Sequence, residues 1–152
     1  NISKRNEKNW IRGIIMNTAI YGYGTMGKFL VESVNKYEGM TLAGVVDDFK
    51  DFDEEFVYKT FEDVPNKIDV IIDFSHPSNL DKVLTYAIKT KTPVLIATTG
   101  LTEDDYKKID NASKEIAVLT PTNTSLYGAN ILALCKLKIV VGNLLPAEPE
   151  TL

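Results

Sequence analysis

The sequence contains one cysteine and one histidine, and this scarcity excludes several kinds of functional site. A single cysteine, Cys135, allows neither an internal disulfide nor a metal site built from cysteines. Because its neighbours are apolar, we expect Cys135 to be a buried thiol on a helix. We interpret His76 as a residue of a turn or of a helix start. The sequence therefore predicts no metal site.

The chain also lacks an excess of basic residues and a long hydrophobic run. Its formal net charge is -4 at pH 7, which argues against a nucleic-acid partner. No run approaches the roughly 18 apolar residues that span a membrane. The first fifteen residues are basic and lack the apolar core of a secretory signal. We therefore expect no nucleic-acid partner, no membrane partner and a cytoplasmic location.

A length of 152 residues with 44% hydrophobic residues predicts one well-buried domain. Met16 has the character of a natural start, so we interpret residues 1–15 as a leader outside the fold. The alternative is an N-terminal arm that packs through Trp10. We assign residues 16–138 to the domain and residues 139–152 to a tail or linker.

A glycine turn near the start of this domain carries the first functional signal. A short apolar run ends at Tyr21, and Gly22, Gly24 and Gly27 follow with the spacing G-x-G-x-x-G before a stretch of helical periodicity. In a strand–turn–helix of this kind, the first glycine permits a tight turn and the second admits a pyrophosphate. The third lets the helix pack close to the strand. The N–H groups at the helix start favour anions, so the pattern predicts a phosphate-binding turn.

Asp47 extends this prediction from a phosphate to a dinucleotide. It ends the second apolar run and lies 20 residues after Gly27, the spacing expected of an acid that binds a ribose hydroxyl. The alternative is an ordinary surface aspartate after a strand. Since Asp47 and Asp48 would repel a 2′-phosphate, we predict a preference for NAD(H), with NADP(H) as the alternative.

Strand-like and helix-like segments alternate along the rest of the chain. Predicted strands lie at residues 40–46, 57–58, 68–74, 93–97 and 116–119. Predicted helices follow the glycine turn to about residue 37, occupy residues 79–89, begin after residue 102, and begin again near residue 128. This alternation predicts an α/β fold with a doubly wound, Rossmann-like parallel sheet and right-handed crossovers.

Three loops rich in small hydroxyl residues follow the later strands, at residues 74–77, 98–100 and 120–125. Such side chains can bind ribose and nicotinamide, although each loop is also ordinary turn chemistry. In order, the motifs DFSHP from Asp73, ATTGL from Ala97 and NTSLYGAN from Asn123 resemble the dihydrodipicolinate reductase family. These are NAD(P)H-dependent 4-hydroxy-tetrahydrodipicolinate reductases of the diaminopimelate–lysine pathway. The resemblance spans about residues 17–134.

The resemblance implies which residues hold the cofactor. The pyrophosphate would lie against the glycine turn, and the adenosine ribose against Asp47. The implied set for the turn is Gly22, Gly24, Thr25, Met26 and Gly27. The implied set for the nicotinamide half is Phe74, Ser75, Ala97, Thr99 and Asn123, with Thr99 also facing the substrate.

The sequence departs from the family pattern near the cofactor. Thr25 stands where the family often has arginine, which strengthens the expected NAD(H) preference. Ala97 replaces a usual glycine, and Thr124 often a phenylalanine. Tyr127 is an additional residue, which affects the alignment of the third motif.

A larger departure concerns the family's substrate domain. Nothing after Asn130 matches the family's His-His-x-x-Lys or Asp-Ala-Pro-Ser-Gly-Thr motifs. We therefore expect an oxidoreductase cofactor domain with no substrate domain, no catalytic residue of its own and no turnover by itself. A small cyclic dicarboxylate would bind only if a substrate domain were supplied. The alternatives are a non-catalytic NAD(H)-binding module and the cofactor half of another amino-acid dehydrogenase. No oligomeric state is predicted.

Overall fold

The computed structural model describes residues 15–37, 39–49 and 53–120. Within these residues six strands form one sheet, in which every pair is parallel. The strands are β1 (Met16–Tyr21), β2 (Met40–Val46), β3 (Val57–Tyr58), β4 (Val70–Asp73), β5 (Val94–Ile96) and β6 (Val118–Leu119). Their order is β3-β2-β1-β4-β5-β6, so the chain builds outward from β1 and then returns to add β4 on its other side. The predicted doubly wound parallel sheet is confirmed.

In the described part of the chain, three helices cover the two faces of this sheet. They are α1 (Thr25–Lys36), α2 (Leu80–Thr90) and α3 (Glu103–Ala112), and two short 3-10 turns lie at Phe61–Asp63 and Pro77–Asn79. On one face, Leu30 and Val34 of α1 pack with Ile20 and Val45 of the sheet. On the other face, α2 and α3 pack through residues such as Val83 and Ile109 against Ile71. The alternation in the sequence thus produces two apolar cores, one on each side of the sheet.

The strands and helices match the sequence predictions closely, and the differences lie at their ends. The strand predicted at residues 93–97, for example, occupies Val94–Ile96. The strand predicted at residues 68–74 is shorter, Val70–Asp73, although Asp69 N–H and Phe74 N–H still bond to β1 carbonyls just outside the regular ladder. The helix predicted at residues 79–89 begins at Leu80, since a 3-10 turn occupies Pro77–Asn79. The strand predicted at residues 116–119 is reduced to Val118–Leu119.

Several predictions lie outside the described residues. They concern the leader at residues 1–14, the helix near residue 128 with Cys135, the tail at residues 139–152, and Asn123 of the candidate site. The domain bounds at residues 16 and 138 therefore stay predictions.

Candidate functional site

The candidate site lies at the carboxyl ends of β1 and β4. These strands are neighbours, with Tyr21 opposite Asp73 in the register, yet the chain leaves them toward opposite edges of the sheet. Such a reversal opens a crevice in which ligands of doubly wound sheets bind. The glycine turn follows Tyr21, and the loop that begins with Phe74 follows Asp73. Both predicted motifs therefore border the same crevice.

The three glycines of the turn differ in their surroundings. Gly22 has φ +99°, and a Cβ there would lie 3.0 Å from the Phe74 carbonyl oxygen and 3.0 Å from the Ser75 Cα. A Cβ on Gly27 would collide with the carbonyl oxygen of Gly22 and lie 2.9 Å from its carbon. At Gly24, by contrast, a Cβ would meet nothing within 4 Å. The turn therefore needs glycine at its first and third positions for its own folding, and leaves open space at the second.

The start of α1 has no side-chain cap. Gly24 is its N-cap residue, and no acidic residue lies in the first turn. The first helical hydrogen bond runs from Lys28 N–H to the Gly24 carbonyl, so the preceding N–H groups have no acceptor within the helix. The start of α3 differs, because Thr102 and Asp105 form a reciprocal capping box there. The start of α1 is therefore left able to bind an anion.

Asp47 connects the end of β2 to the glycine turn. Its Oδ2 accepts a hydrogen bond from Tyr23 N–H at 2.9 Å, and its Oδ1 accepts one from Phe49 N–H at 3.0 Å. Gly22 N–H also donates to the carbonyl of Val46 at 2.8 Å. Since each carboxylate oxygen has two lone pairs, Asp47 keeps acceptor capacity for a hydroxyl. The predicted ribose acid thus lies beside the predicted phosphate turn.

Asp73 is a member of the site that sequence reasoning missed. It is 1% exposed, and its Oδ1 accepts hydrogen bonds from the N–H and the Oγ of Ser75, at 2.8 and 2.6 Å. Its Oδ2 has no hydrogen-bond partner among the described residues. Burial raises the pKa of Asp73, while the bonds from Ser75 act in the opposite direction. An aspartate at the end of an apolar strand was the signal that could have identified it.

Asp73 also links two of the predicted loops through its backbone. Its carbonyl accepts from Ala97 N–H at 2.9 Å and from Thr98 Oγ at 3.4 Å. The loops that contain Ser75 and Ala97 therefore meet at the end of β4. Thr99 follows as an exposed residue. The described residues of the predicted nicotinamide half therefore lie just beyond the carboxyl ends of β4 and β5.

His76 serves as a helix-start residue, as expected from the sequence. Its Nδ1 accepts a hydrogen bond from Ser78 N–H at 3.1 Å and so caps the 3-10 turn before α2. Across the described ranges, no group of three His, Cys, Asp or Glu residues could hold a metal ion. No helix within those ranges is long and apolar enough to span a membrane.

A groove of about 600 Å³ lies on the α2 side of the sheet, next to Asp48. Three stacked rings contribute to its wall, with centroid distances of 4.9 Å from Tyr21 to Phe61 and 4.8 Å from Phe61 to Tyr86. Burial, followed by the charge of Asp48, raises the pKa of Tyr21, so its hydroxyl keeps its proton. The sequence did not indicate this groove, because its walls come from separate segments.

Comparisons with known proteins agree with this geometry. The family model described as the N-terminus of dihydrodipicolinate reductase matches residues 16–124. The 4-hydroxy-tetrahydrodipicolinate reductase of Clostridium novyi is 38% identical over 112 residues, which are 72% of this chain and 43% of that protein. The enzyme of the same name from Exiguobacterium sibiricum is 38% identical over 121 residues, 80% of this chain and 47% of that protein.

A solved structure supports the same fold. The dipicolinate-bound dihydrodipicolinate reductase from Paenisporosarcina sp. TG-14 superposes with a TM-score of 0.60 at 22% identity. The match covers 72% of this chain and 48% of that one. The chain therefore spans about half the length of the relatives that it matches.

Proposed function

Since this chain belongs to the dihydrodipicolinate reductase family and contains its N-terminal domain, we propose that it binds a nicotinamide dinucleotide across the β1–β4 crevice. The observation that carries this proposal is the uncapped start of α1 behind Gly24. A pyrophosphate there would accept bonds from the N–H groups of Thr25, Met26 and Gly27. The open space at Gly24 lets the phosphate approach the backbone without meeting a side chain.

The adenosine half lies on the β2 side of the crevice. Asp47 accepts hydrogen bonds from the ribose hydroxyls while it holds Tyr23 N–H, so the ribose and the phosphate turn are positioned by one carboxylate. A 2′-phosphate would place negative charge next to Asp47 and Asp48, and Thr25 offers no countercharge at the turn. We therefore propose that NAD(H) binds more tightly than NADP(H).

The nicotinamide half lies on the β4–β5 side. Phe74 and Ser75 border its ribose, and Ala97 and Thr99 border the carboxamide, with Thr99 also facing the substrate. From the family resemblance, Asn123 would close the nicotinamide side. The Asp73–Ser75 hydrogen bonds hold the Phe74–Ser75 loop at the crevice, and this loop in turn touches the Gly22 position. When bound, the reduced dinucleotide supplies the hydride for the reaction.

We further propose that the whole reductase reduces a small cyclic dicarboxylate of the 4-hydroxy-tetrahydrodipicolinate type, and that this chain alone gives no turnover. Hydride transfer needs both reactants held in a near-attack geometry. The sole histidine, His76, uses its side chain to cap the 3-10 turn before α2, and the sequence contains no His-His-x-x-Lys stretch. The alternatives that the sequence leaves open are a non-catalytic NAD(H)-binding module and the cofactor half of another amino-acid dehydrogenase.

The site assignment is tested by nuclear magnetic resonance of ¹⁵N-labelled chain titrated with NADH. The amide signals of Thr25, Met26 and Gly27 should shift most, together with those of Tyr23 and Ser75. Addition of ADP-ribose should reproduce the shifts at the glycine turn and leave Ser75 less affected, because it lacks the nicotinamide. Shifts confined to other surfaces would contradict the assignment.

A further inference from the structure

The ion pair between Asp48 and Lys82 joins the end of β2 to α2 across 34 positions of the chain. The Asp48 side chain is 20% exposed, whereas that of Lys82 is 63% exposed. Lys82 Nζ bonds to Asp48 Oδ2, and Asp48 Oδ1 is buried without a hydrogen-bond partner among the described residues. Lys82 is therefore the cation that compensates a largely buried carboxylate, which distinguishes this contact from an ordinary surface pair.

This pair lies next to the residue to which we assign the adenosine ribose. Asp48 directly follows Asp47, and consecutive Cα atoms are about 3.8 Å apart. Asp47 turns its carboxylate to Tyr23 at the glycine turn, while Asp48 turns toward α2 and borders the groove. Under the proposed function, a ribose bound at Asp47 would bring a 2′-phosphate toward Asp48, whose carboxylate holds the Lys82 ammonium.

We propose that Asp48 and Lys82 together determine the choice between NAD(H) and NADP(H), an inference that rests on the proposed function. Asp48 repels a 2′-phosphate and also keeps Lys82 from binding one. To reach the phosphate, Lys82 would have to leave the largely buried carboxylate of Asp48. This is costly, because Asp48 Oδ1 already lacks a hydrogen-bond partner among the described residues. A plain 2′-hydroxyl requires no such exchange. Lys82 could thus bind a phosphate only when it is released from Asp48.

The other charges around the groove do not replace this pair. Asp81, which precedes Lys82 on α2, bonds instead to Lys108 of α3 at 3.0 Å. The remaining charged residues of the lining are Lys59, Glu62 and Lys89, so the groove carries three residues of each sign. The charges of the lining therefore balance, and loss of the Asp48 carboxylate differs from loss of another acid because it releases Lys82.

The test compares the affinities of NADH and NADPH for the chain and three variants. Asp48→Asn removes the charge and releases Lys82, so the ratio Kd(NADPH)/Kd(NADH) should fall about tenfold, in the lower range for a hydrogen bond to a charged group. The double variant Asp48→Asn/Lys82→Gln should lose most of this gain. The matched control is Asp81→Asn, which breaks the neighbouring pair with Lys108 and should leave the ratio unchanged. The gain in Asp48→Asn should also shrink at high ionic strength.

Each outcome bears on a different claim. An unchanged ratio in Asp48→Asn would overturn the role of Lys82. An equally large gain in the double variant or in Asp81→Asn would overturn it as well. Each of these results would leave the dinucleotide site in place. Failure of the unsubstituted chain to bind either dinucleotide would overturn the proposed function itself. Circular dichroism of each variant shows whether it is folded. If Asp48→Asn does not fold, Lys82→Gln serves instead, and it should weaken NADPH binding more than NADH binding.

Discussion

The Oδ2 of Asp47 accepts a hydrogen bond from the backbone N–H of Tyr23 at 2.9 Å, which makes the acid after β2 and the glycine turn after β1 one structural unit. Tyr23 and Asp47 are 24 positions apart in the chain, and only the glycine turn and the acid together predict a dinucleotide site. Because the carboxylate positions the turn as well as any bound ribose, substitutions at Asp47 should affect both halves of the adenosine diphosphate site.

We expect Asp47→Ala to weaken NADH binding more than NADPH binding. The substitution removes the acceptor for the ribose hydroxyls, a loss of about tenfold or more for a hydrogen bond to a charged group. For NADPH the same change also removes a repulsion, so its loss is smaller. Fluorescence titration of both dinucleotides measures the two affinities. Equal losses would mean that Asp47 only supports the turn. The variant Asp47→Asn keeps an acceptor for Tyr23 N–H but not the charge, so it separates the support of the turn from the effect of the charge on binding.

Gly24→Ala and Gly27→Ala form a matched pair of glycine substitutions. At Gly24 a methyl group meets nothing within 4 Å, so we expect a stability within a few tenths of a kcal/mol of the parent chain and a loss of dinucleotide binding. At Gly27 it collides with the Gly22 carbonyl, so we expect a destabilisation of about 1–3 kcal/mol or more together with the loss of binding. Urea unfolding and NADH titration measure both effects.

Two outcomes would contradict this interpretation of the glycine turn. Normal NADH affinity in Gly24→Ala would mean that no phosphate approaches the open space. Unchanged stability in Gly27→Ala would mean that α1 does not pack against the turn as closely as the structure has it.

Asp73 should make the free energy of unfolding depend on pH. Burial raises its pKa in the folded state, so the folded chain keeps the proton to a higher pH than the unfolded chain does. Between the two pKa values the folded state binds more protons, and stability therefore falls as the pH rises. The contribution is complete below the unfolded-state pKa of about 3.9 and is lost as the pH passes the raised pKa.

Two variants test this assignment by urea unfolding over a series of pH values. Asp73→Asn cannot ionise, so the decline in stability above about pH 4 should flatten. Ser75→Ala keeps the carboxyl but removes the Oγ bond that lowers its pKa, so the decline should become larger. An Asp73→Asn variant with the same pH dependence as the parent chain would show that other groups cause it.

The pattern of the sequence was sufficient to predict most of the fold. Met40–Val46 and Val57–Tyr58 have the predicted bounds, because a buried apolar run identifies a parallel strand without reference to its neighbours. The strand predicted at residues 68–74 was too long, since its regular pairing with β1 covers only Val70–Asp73. Local pattern therefore predicts the presence of a strand, and pairing determines its ends.

The candidate site was predictable only in part for a similar reason. Gly27 and the positive φ of Gly22 could be predicted because both depend on a short local turn, whereas the crowding of Gly22 by Phe74 and Ser75 could not. The Asp47–Tyr23 bond and the Asp48–Lys82 pair join residues 24 and 34 positions apart, so they depend on how the elements pack. Asp73 was overlooked because its burial results from the helices that cover β4. The role of Asn123 stays a prediction.

Isothermal titration calorimetry of the chain with NADH, and separately with NADPH, shows whether the glycine turn and Asp47 hold a nicotinamide dinucleotide. We expect binding of one NADH per chain, weaker binding of NADPH, and no NADH binding by the folded Gly24→Ala variant. Binding of neither dinucleotide by the folded parent chain would contradict the proposed dinucleotide site, and tighter binding of NADPH would contradict the assigned roles of Asp47 and Asp48.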